Sequence, residues 1–136
     1  MGIRIDFTDV GGGDFQPIEP GTYNAVVFNA EVRDSQAGKP YINWDFKITG
    51  PKYEGRHQWY MTSLQKQALW KLKQMLLRLG VPEEKLAGVF DLDLEELIGK
   101  PCKIVVEHEQ YQGQIRDRVV DVLPPDQETL NTPLFR

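Results

Sequence analysis

A chain of 136 residues with 40% hydrophobic and 26% charged side chains has room for one core that buries roughly two-thirds of its unfolded surface without disulfide staples. A formal net charge of −4 and a pI near 5.2 argue, on average, against a nucleic-acid binder. Apolar runs of four residues or fewer exclude a membrane-spanning helix, and the start "MGIRIDFTDV" lacks the basic flank and apolar stretch of a signal peptide, so the chain is expected to stay in the cytosol.

Residues 1–20, rich in Gly, Pro and Asp, show no sustained period and read as an irregular arm with a short extended piece at Ile3 to Phe7. In "GTYNAVVFNAEVRD", Val26, Phe28, Ala30 and Val32 share one parity while Asn29, Glu31 and Arg33 take the other, the period-2 pattern of a half-buried strand. "DSQAGKP" supplies turn residues, and "YINWDFKI" then sets Ile42, Trp44, Phe46 and Ile48 on one face and Tyr41, Asn43, Asp45 and Lys47 on the other. After the turn "TGPKYEG", a third strand carries Trp59 and Met61 on one parity and Arg56, Gln58, Tyr60 and Thr62 on the other. It is expected to end or bulge near Ser63, because Leu64 breaks the alternation.

Leu69, Leu72, Leu76 and Leu79 recur at helical spacing among strong helix formers, with Ser63 a candidate cap, Gly80 a stop and Pro82 beyond it. "VPEEKLAGVF" reads as a loop or single turn. "DLDLEELIG" predicts a short helix capped by Asp93, with Glu96 three residues on and closure at Gly99. Cys102, Ile104 and Val106 alternate with charged neighbours, and "IRDRVVDVL" returns across "EQYQGQ", where Gly113 is expected at positive φ.

Five strands interrupted by a helix between the third and fourth predict a mainly β domain over 21–124 with one principal helix. The expected architecture is a five-stranded OB-fold barrel, β-β-β-α-β-β, with the irregular N-terminal arm before it and a flexible C-terminal tail, 125–136, after it. Other α+β arrangements share this order, and a fold alone supplies only a range of ligands.

Charge is segregated along the chain. Between Ser35 and Arg78 eight basic residues (Lys39, Lys47, Lys52, Arg56, Lys66, Lys71, Lys73 and Arg78) stand against Asp45 and Glu54, and between Glu83 and Glu96 six acids stand against Lys85. With Trp44, Phe46, Trp59 and Met61 assigned to the barrel interior, Tyr41, Asn43, Lys47, Arg56, Gln58, Tyr60 and Thr62 are expected on one outer surface. Lys39, Lys52 and Tyr53 extend this patch through the turns, and Tyr111, Arg116 and Arg118 flank it from the last hairpin. Rings among cations suit an unpaired nucleic-acid strand, because stacking is worth about 1–3 kcal/mol per base and the phosphates need positive charge that reads no sequence. The competing reading of Tyr41 and Tyr60 is that they shield a sheet edge. Trp70 is assigned to the core with Trp44 and Trp59, and Lys71, Lys73 and Arg78 to a solvated face.

No catalytic residue, metal or cofactor is expected. His57 and His108 stand on different strands without an acid constellation at metal spacing, and no Ser-nucleophile, phosphate-loop or zinc motif occurs. "DVGGGD" follows no strand and opens no helix; the acids of "FDLDLEEL" suit a capped turn better than a metal site; the lone Cys102 reads as a buried strand thiol.

The pieces "DFTDV", "PIEPGTYNAVVFNAEVRDSQAGKPYINWDFKITGPKYEGR", "ALWKLKQMLLRLGV", "DLEELIGKPCKIVVEHEQYQGQIRDRV" and "VLP", running from Asp6 to Pro124, resemble a family of bacteriophage single-stranded DNA-binding proteins, long catalogued as a phage domain of unknown function. The resemblance implies an OB-fold, unpaired DNA as ligand, no enzymatic activity, and protection of strands during phage replication or recombination in the cytoplasm of the infected host. It also implies a binding surface on the second and third strands and their joining loop, where Tyr41, Lys47, Arg56 and Tyr60 fall. Expected partners are single-stranded DNA, phage or host replication and recombination proteins, and further copies bound along the strand. The rival expectation is an OB-like protein-interaction module of such a complex; a nuclease is a third, for which the sequence offers no site. "QETLNTPLFR" departs from the acidic, aromatic-tipped tail by which many single-strand binders recruit proteins.

Overall fold

In a computed structural model, residues 2–4 and 17–125 are described, the Tyr111 side chain excepted. The predicted extended piece at Ile3 to Phe7, beyond Arg4, and the predicted tail beyond Pro125 lie outside the described residues. Five strands, β1 (Gly21–Asp34), β2 (Pro40–Gly50), β3 (His57–Ser63), β4 (Pro101–Tyr111) and β5 (Gln114–Leu123), and one helix, α1 (Leu69–Arg78), make up the domain. All strand pairs are antiparallel, in one sheet of order β3-β2-β1-β4-β5. The sheet is open, with β3 and β5 its two edges; it curls so that these edges face each other across a cleft lined from both.

The second strand follows its sequence pattern: Ile42, Trp44, Phe46 and Ile48 are buried while Tyr41, Asn43 and Asp45 are half-buried and Lys47 exposed. The first strand does not. Val27 pairs with Phe46 and Asn29 with Asp45, so Phe28 is the extra residue of a β-bulge. Before the bulge Ala25 and Val27 face the core; after it Ala30 does, and Phe28 and Val32 are exposed. An alternation read straight through Val26, Phe28, Ala30 and Val32 misses this one-residue slip. Another slip, at Val120, puts Val119 and Val122 on the same buried face of β5.

On the concave side the sheet packs Ala25, Val27, Trp44, Phe46, Ile104 and Val106 against Leu72, Met75 and Leu76 of α1 and the following Leu79. A 3-10 turn at Lys66–Ala68 leads into α1. Ser63 caps nothing on the helix itself, and its hydroxyl instead accepts from the Gln65 N–H at 3.0 Å. The predicted short helix at Leu94–Leu97 is a 3-10 turn capped as expected, the Asp93 carboxylate accepting from the Glu95 N–H at 3.0 Å, and its Leu97 is buried. Gln112 and Gly113, at φ 51° and 78°, form the two-residue turn between β4 and β5, the positive-φ pair a type I′ hairpin needs.

Cys102 is buried, and burial pushes its thiol up to about 12. Native protein at pH 8 is therefore expected to react with a thiol reagent about a thousandfold more slowly than urea-unfolded protein, since the thiolate is the reactive species; equal rates would show that the strand is not closed over it.

The residues just before β1 are built into the fold. Ile18 is fully buried, its N–H donates to the Asp117 carboxylate at 3.0 Å, and His108 Nε2 donates to its carbonyl at 2.8 Å. The same Asp117 oxygen accepts from Gln58 Nε2 at 3.1 Å and lies 3.8 Å from the Arg56 guanidinium. One acid on β5 thus joins the strap before β1, the edge strand β3 and the turn preceding it. Asp117→Ala leaves two donors without an acceptor and is expected to cost about 1–3 kcal/mol in urea unfolding. An unchanged midpoint would remove this residue from the stabilising set.

Candidate nucleic-acid interface

The register between β2 and β3 decides which side chains the outer face carries. Trp44 lies opposite Tyr60, Phe46 opposite Gln58, and Ile42 opposite Thr62, and directly opposed residues in an antiparallel pair share a face. Because Ile42, Trp44 and Phe46 face the core, Gln58, Tyr60 and Thr62 face inward too. Gln58 and Thr62 are buried and hydrogen-bonded, Thr62 Oγ1 accepting from the Trp44 indole N–H at 2.9 Å. Tyr60 is half-buried against the core, and desolvation raises its phenol above its ordinary value.

This reverses the parity expected for β3. Trp59 and Met61 do not fill the interior; they are 54% and 65% exposed. Gln58, Tyr60 and Thr62 are absent from the outer surface for the same reason. Trp70, also expected in the core, projects from α1 at 63% exposure, while Trp44 alone of the three tryptophans is enclosed.

The outer face of β1, β2 and β3 therefore displays a different row. The Phe28 ring meets His57 edge-on at 4.8 Å, and His57 lies nearly parallel to Trp59 at 6.1 Å and 24°. His57 Nδ1 donates to Asp45 Oδ1 at 2.7 Å, which fixes the imidazole between the two larger rings. Lys47 Nζ sits 5.8 Å from the Phe28 ring centre, within cation–π range. The bulge at Phe28 aims its ring outward, and the cross-strand pairs Lys47–His57 and Asp45–Trp59 complete the row.

Beyond the exposed edge of β3 the face continues into the cleft, with a volume of about 720 Å³, between β3 and β5. Asn43, Trp59 and Met61 line one wall, and Gln114, Ile115 and Arg116 the other. Arg118 and Glu109, also at the cleft, pair at 3.1 Å.

The residues singled out from sequence divide as follows. Tyr41 and Lys47 stand on the outer face, Lys39 is exposed in the turn before β2, and Arg116 is exposed at the cleft rim. Lys47 and Lys39 enter no ion pair among the described residues. Lys52 pairs with Glu19 at 2.5 Å, and that hydrogen bond raises its ammonium above its ordinary value. Tyr53 packs edge-on against Tyr23 at 5.7 Å, and its hydroxyl accepts from the Glu19 N–H at 3.3 Å, so both Lys52 and Tyr53 tie the β2–β3 turn to the chain before β1. Arg56 is turned toward Asp117, Tyr60 faces inward, and the Tyr111 side chain lies outside the described residues. Sequence reasoning missed Phe28, His57, Trp59 and Met61. For His57, Trp59 and Met61 the signal was the polar Gln58 and Thr62 on the opposite parity of β3, which reach their buried partners only with these side chains turned out; Phe28, set outward by the bulge, carried none.

Among the described residues no helix is long and apolar enough to cross a membrane, and no group of three or more His, Cys, Asp and Glu residues could hold a metal ion. No curated protein matches the sequence. The family described as "Protein of unknown function (DUF669)" matches residues 3–128, and the chain belongs to that family.

Proposed function

We propose that this member of the unknown-function family is a non-enzymatic, largely sequence-independent single-stranded DNA-binding protein. The observation that carries the reading is the exposed row Phe28, His57 and Trp59 with Lys47 beside it, continued by Met61 into the β3–β5 cleft. Unpaired bases offer π-faces to such rings, whereas duplex DNA keeps its bases stacked on one another. Lys47, Lys39 and Arg116 are placed to neutralise phosphates on either side of the row. The polypeptide around them is pre-ordered by the His57–Asp45 and Trp44–Thr62 hydrogen bonds, so binding does not have to fix the rings.

The curled, open five-stranded sheet is, in this reading, an OB-type fold. That fold is a partly open barrel whose second and third strands hold oligonucleotides, and the row lies on β2 and β3 with Phe28 added from β1. The sequence resemblance to phage single-strand binders supports the same ligand and a role in phage DNA replication or recombination within the host cytoplasm.

The test is fluorescence anisotropy of a labelled thymidine oligomer titrated at two salt concentrations, beside a duplex of equal length. Salt-sensitive binding to the single strand, with the duplex clearly weaker, is the expected result. An absence of binding at low salt sinks the reading and assigns the exposed row to a protein partner.

A further inference from the structure

The exposed row on β1–β3 leaves a second concentration of apolar and charged surface unused. On the solvent side of α1 and the turn before it, Lys66, Trp70, Lys73, Gln74 and Leu77 follow one another at helical spacing, all exposed. No acid occurs between Lys66 and Arg78, so this stripe is basic, with Trp70 and Leu77 as its apolar side chains. An amphipathic helix of a globular domain ordinarily turns a charged, mixed-sign face to water; a tryptophan at 63% exposure on such a face is the anomaly.

The stretch that follows has the opposite character. Glu83, Glu84, Asp91, Asp93, Glu95 and Glu96 are all exposed, and between and beside them stand Val89, fully exposed, and Ile98, 42% exposed. Lys85 is the basic residue within it. None of these six acids and none of Lys66, Lys71 and Lys73 takes part in an ion pair among the described residues. The fold thus carries two complementary surfaces, one basic and one acidic, each with exposed apolar anchors, and does not let them meet within one molecule.

We propose that they meet between molecules: the α1 stripe of one copy docks on the acidic 83–98 surface of the next. Charge complementarity between the two selects a second copy of this chain as the occupant. A contact between two different patches is heterologous, and unless its rotation closes it repeats without limit. None of the residues named for the contact lies on β1–β3. The inference does not depend on nucleic-acid binding, because the association requires no DNA.

Sedimentation velocity on the full chain without DNA tests it. At about 0.05 M salt, where exposed charges are weakly screened, the sedimentation coefficient is expected to rise with protein concentration up to about 100 µM, and the rise to disappear at about 0.5 M salt. Lys66→Glu with Lys73→Glu makes the stripe acidic, and Glu83→Lys, Glu84→Lys, Glu95→Lys and Glu96→Lys together make the other surface basic. Each of the two variants alone is expected to raise the apparent dissociation constant at least about tenfold, and an equimolar mixture of the two to recover association, since both contacts in the mixture again join opposite charges. Trp70→Ala, which keeps every charge, is expected to weaken association at about 0.05 M salt. A parent that stays monomeric at low salt, charge reversals without effect, or a mixture that fails to reassociate overturns the proposal. Binding of a separate acidic protein to the stripe of a monomeric parent overturns it too.

Discussion

Trp59→Ala is expected to raise the dissociation constant for a thymidine oligomer by about 5- to 150-fold at any salt concentration, the equivalent of the roughly 1–3 kcal/mol one stacked base contributes. The ring is available because its strand is pinned the other way by Gln58 and Thr62, and it is held by His57 at 6.1 Å with Asp45 behind. Its removal takes away little buried contact, so unfolding stability should stay within about 0.5 kcal/mol of the parent. Two companions separate stacking from other contributions. Lys47→Ala should reduce the salt slope of log K by about 0.7, the amount expected for one phosphate contact on a single strand. Tyr60→Phe keeps the inward ring and should bind as the parent does. If Tyr60→Phe loses affinity while Trp59→Ala keeps it, the ligand lies on the opposite parity and the interface is misassigned.

Trp44→Ala is expected to be the most damaging single change to stability, at about 3–5 kcal/mol. Trp44 is fully buried on β2, next to the edge strand β3, and its indole N–H donates to Thr62 Oγ1 at 2.9 Å. Truncation opens a large cavity and leaves a buried hydroxyl without its donor. Trp44→Phe distinguishes the two effects: it restores most of the apolar volume but not the donor, and should recover all but about 1–2 kcal/mol. Urea unfolding followed by fluorescence measures both; a lower midpoint with an unchanged slope signals lost stability rather than a changed denatured state. A loss below about 1 kcal/mol for Trp44→Ala would mean that the core closes around the gap.

The strand β2 was legible because its alternation is uninterrupted, and α1, the capped turn at Asp93 and the Gly113 hairpin because each depends on chemistry local to a few residues. The parity of β3 was not. Hydrophobicity favours Trp59 and Met61 inside, and the competing requirement, that Gln58 and Thr62 reach partners on β5 and β2, involves residues 59 and 18 positions away. Phe28 was misread for a related reason: a bulge shifts the alternation by one residue, and nothing in "AVVFNAEV" marks it. Asp117, which draws Ile18, Gln58 and Arg56 together, is a single charged residue in an amphipathic strand pattern until those elements surround it.

The sequence by itself determined the number, order and approximate limits of the strands, the helix between the third and fourth, the buried thiol, and the separation of basic from acidic stretches, because these follow from periodicity, propensity and composition over short windows. Tertiary structure alone decided that the sheet stays open between β3 and β5, which face each exposed ring occupies, and which cations are engaged by acids. Those outcomes are set by cross-strand register and by hydrogen bonds between residues distant in the chain, and a one-residue change in register exchanges the inside of a strand for its outside.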